Sequence, residues 1–214
     1  MTNNQISQRA KANFPTVLLT LLSIVQALAL ELMWAHLSEQ TYLYSWSFIA
    51  VLSWLQIGTT LIGILLIWQI YSSLVMRFSW VPSTVDSVFP FLVGIVEFAQ
   101  INALGPDSIG LWFIILGILF AGMAWISQVS MLRARRDGDN AEFFAQQSPA
   151  TFTDHLFAFI PVVFLLGIGV LIWWRGDQGW LAFIAVVCAA GMLVYQFYMN
   201  HHFTQRSYQM RYTA

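Results

Sequence analysis

Glu31, Asp86 and Glu97 each lie inside an apolar stretch long enough to cross a bilayer. A charged side chain at the centre of such a span costs about 2.5–3.5 kcal/mol on insertion scales, so these groups are expected to face protein, water or a partner rather than lipid. Carboxylate and amide oxygens together suit hard cations, and a buried carboxyl also carries a proton. The amides that would complete such a site are Gln26, Gln56 and Gln100.

Depth decides which of these groups can meet. Glu31 precedes Leu37 by six residues and Glu97 precedes Leu104 by seven. At 1.5 Å per residue both sit about 10 Å below the same membrane boundary. The two carboxylates are therefore expected at one level, with Gln100 one turn above Glu97 and with Gln26 and Gln56 nearby. His36 and Asn102 would stand at the rim of a polar cavity open to the non-cytoplasmic side. Asp86 lies eleven residues before Glu97, three helical turns, on the same helical face. Pro90 between them removes an N–H that the Asp86 carbonyl would otherwise use. Asp86, Pro90, Glu97 and Gln100 thus form a polar stripe suited to an ion or proton path. The competing reading is structural: buried carboxyls and Gln26, Gln56, Gln69 and Gln196 hold helices together, each hydrogen bond contributing about 0.6 kcal/mol.

Other reactive side chains give weaker signals. His155, His201 and His202 fall at one boundary and are the only candidates for a metal or haem ligand set; no cofactor is expected. Cys188 is the sole cysteine, which excludes an intrachain disulfide and a cysteine zinc site, and its apolar surroundings predict a buried small hydrophobe. Lys11 is the sole lysine and precedes the first apolar run, so a retinal Schiff base within a span is excluded. No HExxH, GxSxG, phosphate-loop or GxGxxG motif occurs, and an enzyme is not the expected reading.

The elements that must position these groups are helices. Of the 214 residues 58% are hydrophobic and only 9% charged, against about 25% charged in soluble domains. The chain reads as one all-α transmembrane domain, residues 1–214, a polytopic bundle of about six spans. The expected spans are 15–37, 45–73 with a continuation toward Arg77, 84–104, 109–132, 154–174 and 180–200. Pro82-Ser83-Thr84 marks a helix start, Gly105-Pro106-Asp107-Ser108 a turn, and Thr153 or Asp154 a cap. The first run is read as a retained helix, because no small-residue cleavage site follows it. The loop 133–153 is the only long polar one, and its Ala141–Gln146 segment predicts a short interfacial helix carrying Phe143 and Phe144. Small residues, among them Gly94, Gly117 and the pair Gly167 and Gly169, predict close helix contacts. LIGILLIWQ at 61–69 and LLGIGVLIWW at 165–174 are faintly alike, but the carboxylates all lie in the first half, against a functional inverted repeat.

Alternating spans put Arg9, Lys11, Arg77, Arg133, Arg135, Arg136, Arg206 and Arg211 on one side and Arg175 alone on the other. The positive-inside rule makes the first side cytoplasmic, with both termini on it. The absence of any N-x-S/T sequon fits a bacterial inner membrane. Without a basic patch, nucleic acid is not an expected partner; membrane lipids, a small ion or solute, and a second copy or another membrane subunit are. The leading functional expectation is a small channel or transporter for a cation or a proton-coupled solute. The alternative is a non-catalytic subunit or sensor that binds a partner through its polar helix face.

Overall fold

The computed structural model describes residues 3–145, 152–176 and 178–212, with side chains described for 5–145, 159–176 and 178–205. The described residues form helices α1 (Asn3–Glu39), α2 (Phe48–Arg77), α3 (Thr84–Asn102), α4 (Ile109–Arg136), α5 (Ala141–Ala145), α6 (Phe152–Arg175) and α7 (Trp180–Tyr212), joined by 3-10 turns and short connections. No strand occurs among them. Five helices are long and apolar enough to cross a membrane, and the described apolar part of α6, Phe159–Arg175, makes a shorter sixth. Mid-helix residues such as Leu65, Leu92, Ile95, Ile118 and Ile184 are exposed, as side chains against lipid are.

Two helix starts follow local chemistry. Ser47 caps α2, its hydroxyl accepting from the Ala50 amide at 3.2 Å. Ser83 caps α3, where its own N–H donates to Asp86 Oδ2 at 2.7 Å, the reciprocal arm of a capping box. Gly105 takes φ +120°, a conformation open to glycine, in the turn between α3 and α4. α5 coincides with the short helix expected in the 133–153 segment. Three expected boundaries are corrected. α7 runs to Tyr212, twelve residues past the expected Asn200. α1 starts at Asn3 rather than at Pro15, because Lys11 is held by Asp137 at 2.7 Å and Asp139 at 2.8 Å, which fixes the polar turns ahead of Pro15 against the end of α4. α4 runs four residues past the expected Leu132, to Arg136. The expected caps Thr153 and Asp154 lie outside the residues with described side chains.

The helices pack as α1 on α3, α2 on α7 and α4 on α6. Glycines set the closest contacts. A Cβ on Gly94 would lie 2.5 Å from Val25 Cγ1, and one on Gly110 would lie 2.6 Å from the Trp173 backbone nitrogen. Gly117 against Leu166, at 2.8 Å, and Gly169 against the Gly110 carbonyl, at 2.9 Å, are nearly as tight. Gly167, the other half of the expected notch, faces open space. The first half pairs its first and third spans and the second half its first and second, so the two halves are not packed alike. Cys188 is exposed on α7, not buried as its surroundings predicted, because the residues α7 buries are Ala182, Ala185, Val186, Ala189 and Leu193.

Two apolar clusters fill the interior. One, with Tyr71, Phe78, Trp80 and Phe89, lies at the basic end beside Lys11 and Arg133. The other, around Trp112, Phe113, Leu165 and Ile172, fills the opposite half.

Candidate functional site

The expected polar residues separate into four places. At mid-bundle, α1 meets α3 through Leu18, Leu22, Val25, Gln26, Ala29 and Met33, all buried. This 3–4 spacing is one helical face. Gln26 falls on it and donates from Nε2 to Glu97 Oε1 at 2.8 Å. Glu97 is 1% exposed and Gln100 is buried beside it on α3. Glu97 Oε2, Gln26 Oε1 and Gln100 Nε2 have no hydrogen-bond partner among the described residues. This trio is a sealed carboxyl–amide group with hydrogen-bonding capacity left over.

Glu31 does not join it. A shared level does not fix direction around the helix. Glu31 is two residues from both Ala29 and Met33, about 200° around the axis from each, so it points away from α3. It is exposed, and among the described residues no side chain bonds or pairs with it. Its neighbours on that outward face are mixed: Thr16, Thr20, Ser23 and Ala27 lie to one side and the larger Val17, Ile24 and Leu28 to the other, all exposed.

Gln56 is also elsewhere. Its Oε1 accepts from the Gly105 amide at 3.0 Å and its Nε2 donates to the Ala103 carbonyl at 3.4 Å. It therefore clasps the α3–α4 turn to α2, satisfying backbone groups that the turn leaves unpaired inside the bundle. Asn102, expected at the rim, is exposed; His36 is half-buried.

Asp86, expected as the inner end of an ion path, is engaged otherwise. Its side chain is 4% exposed, and Arg133 Nη1 approaches Oδ2 at 2.7 Å and Oδ1 at 2.8 Å. The Ser83 amide and hydroxyl donate to Oδ2 as well. A carboxylate with an ion partner and two further donors is compensated in place. Between Asp86 and Glu97 the buried positions of α3 are Phe89, Pro90, Val93 and Gly94, so the inward face of α3 is apolar where the stripe would have to continue. The Ser83-x-x-Asp86 spacing was the sequence signal for this role, and Arg133 was the partner that reading missed. Asn140 was missed too: its Nδ2 donates to the Ser79 and Ala134 carbonyls at 2.6 and 2.8 Å and its Oδ1 accepts from the Ser79 amide at 3.1 Å, locking the α4–α5 turn to the α2–α3 connection.

The histidines do not converge among the described residues. His201 is exposed and bonds Gln205 at 3.0 Å, and the His202 ring stacks on Tyr198 with centroids 5.8 Å apart. The His155 side chain lies outside the described ones. No group of three or more His, Cys, Asp or Glu side chains placed to hold a metal occurs among the described residues.

No family model matches the chain, and no curated protein or solved structure is significantly similar to it.

Proposed function

We propose that this chain is a non-catalytic subunit of a membrane assembly, and that it binds a partner transmembrane helix through the outward face of α1, centred on Glu31. The observation that carries this reading is a contrast among the three carboxylates. Glu97 is bonded to Gln26 and Asp86 is paired with Arg133, whereas Glu31 is exposed and has no partner among the described residues. It lies about one turn inside Trp34, whose 70% exposure fits the aromatic belt at a membrane boundary. A carboxylate below that belt is stabilised by a donor brought to it by a neighbouring helix. Thr16, Thr20, Ser23 and Ala27 form a small-residue edge of that face on which such a helix can seat, with Val17, Ile24 and Leu28 exposed beside it for apolar contact. The partner is therefore a span carrying an amide, a hydroxyl or a basic side chain at the depth of Glu31. We place the basic end of the bundle, with both termini, in the cytoplasm by the charge asymmetry, and the protein in a bacterial inner membrane.

The test is the size of the particle in a mild detergent. Wild type migrates above the mass of one 24.3 kDa chain with its detergent, and Glu31→Leu falls to the single-chain position. Equal migration of both at the single-chain position contradicts the reading. Mixing two differently tagged copies separates a homo-oligomer from a complex with another subunit.

A second reading, conduction of a proton or cation, has one observation in its favour: the unpartnered Glu97 Oε2, Gln26 Oε1 and Gln100 Nε2 inside the bundle. These atoms offer oxygen ligands to a small cation or an acceptor to a proton. Flux into liposomes that Glu97→Gln abolishes supports it, and absence of flux in the wild-type protein removes it.

A further inference from the structure

A small cavity opens at the basic end where α1, α2, α3 and α4 meet, lined by Leu18, Tyr71, Trp80, Asp86, Ile126 and Ser130 among others. Two of its walls carry unmet hydrogen-bond donors: Trp80 Nε1 and Tyr71 Oη are buried without a partner among the described residues. Both rings are pinned. Trp80 meets the edge of Phe14 with centroids 5.6 Å apart, and Tyr71 lies against Phe89 at 5.7 Å. Neither residue is more than 4% exposed, so neither donor reaches bulk water by a simple rotation. A buried donor left unmade costs about 1–3 kcal/mol, so two beside one cavity point to an occupant that accepts from both.

The charges around the cavity select its chemistry. The indole N–H donates only, and Arg133 already neutralises Asp86, which leaves nothing to hold a cation. The Asp86 oxygens in the wall only accept, so they offer an anion no hydrogen bond. A neutral molecule that both accepts and donates fits. Asp86 Oδ2 takes three donors, whereas Oδ1 takes only Arg133 among the described residues, so Oδ1 retains a free lone pair. The space is that of one water, which in buried sites makes about three hydrogen bonds.

We propose that this cavity is a hydration site. One water accepts from Trp80 Nε1 and Tyr71 Oη and donates to Asp86 Oδ1. It extends the Asp86–Arg133 pair to α2 and to the α2–α3 connection, so that these elements share one hydrogen-bonded unit. The proposal is independent of the Glu31 reading.

X-ray hydroxyl-radical footprinting of the whole protein in detergent tests it, because radicals born from a bound water modify the side chains around it. Trp112 is the control: it is fully buried, and its Nε1 already donates to Thr60 Oγ1 at 2.9 Å. Tyr71 and Trp80 are expected to be modified well above Trp112. In Tyr71→Phe, which keeps the ring, Trp80 labelling is expected to fall to the Trp112 level. Labelling of Tyr71 and Trp80 no higher than that of Trp112 overturns the proposal, as does Trp80 labelling unchanged in Tyr71→Phe. Labelling that changes when sodium is replaced by choline, or chloride by gluconate, overturns it in favour of an ion.

Discussion

At the scale of single residues, the three carboxylates of the spans divide into two that have a partner, Glu97 and Asp86, and one, Glu31, that has none among the described residues. Gln26 and Glu97 are a buried pair, so Gln26→Leu leaves a buried carboxyl without its donor and is expected to destabilise the protein by about 1–3 kcal/mol. Glu97→Gln, which keeps shape and hydrogen bonding, is expected to cost less than Gln26→Leu. Unfolding of both variants in mixed micelles with increasing denaturing detergent measures the difference. Asp86 and Arg133 give a second prediction. Breaking a buried ion pair costs about 3–5 kcal/mol, and because Arg133 keeps 29% exposure, Arg133→Ala belongs at or below the lower end of that range. The double variant Arg133→Ala/Asp86→Asn is expected to recover most of the loss, since it removes the stranded charge; a double variant no more stable than Arg133→Ala contradicts the assignment. Which residues would matter was legible in the sequence, because a carboxylate in an apolar run is rare. Depth was legible too, from counting residues. Direction around α1 lies in the same pattern: the 3–4 spacing from Leu18 to Met33 puts Gln26 on the buried face and Glu31 off it. The Asp86–Arg133 pair joins residues 47 apart in sequence, and no local pattern announces such a pair.

At the scale of the helices, close approach depends on specific glycines. Gly94 and Val25 define the α1–α3 contact that brings Gln26 to Glu97. Gly94→Ala puts a methyl 2.5 Å from Val25 Cγ1 and is expected to destabilise by about 1–3 kcal/mol through overpacking. Val25→Ala in the same chain should restore part of it. Gly122→Ala meets nothing within 4 Å and is expected to be neutral or slightly stabilising, because alanine favours the helix by up to about 1 kcal/mol. Unfolding in the same mixed micelles reads both, and equal effects at Gly94 and Gly122 contradict this account of the packing. Helix starts were largely legible because Ser47, Ser83 and Gly105 have local chemical reasons to be where they are. The extension of α1 to Asn3 was not, because it depends on Lys11 meeting Asp137 and Asp139, far along the chain. The side on which Cys188 lies was likewise decided by how α7 packs and not by its composition.

At the scale of the whole molecule, helices of spanning length, an apolar flank and basic residues gathered at one end follow from composition and periodicity. The pairing of helices does not, because apolar faces of similar character fit one another in several ways. The orientation we propose has a direct check. In a Cys188→Ser background, a cysteine at Asp107 is expected to react with an impermeant maleimide added to right-side-out cells, and one at Gly138 only after the membrane is opened; the reverse pattern inverts the topology. The partner face on α1 is tested most directly by a photo-crosslinking amino acid at Ala27, beside Glu31, in native membranes, with the same probe at Val194, exposed on α7, as the lipid-facing control. A discrete protein adduct at Ala27, lost in Glu31→Leu and absent at Val194, is the result the account predicts. Lipid adducts alone at both positions, unchanged by Glu31→Leu, would contradict it.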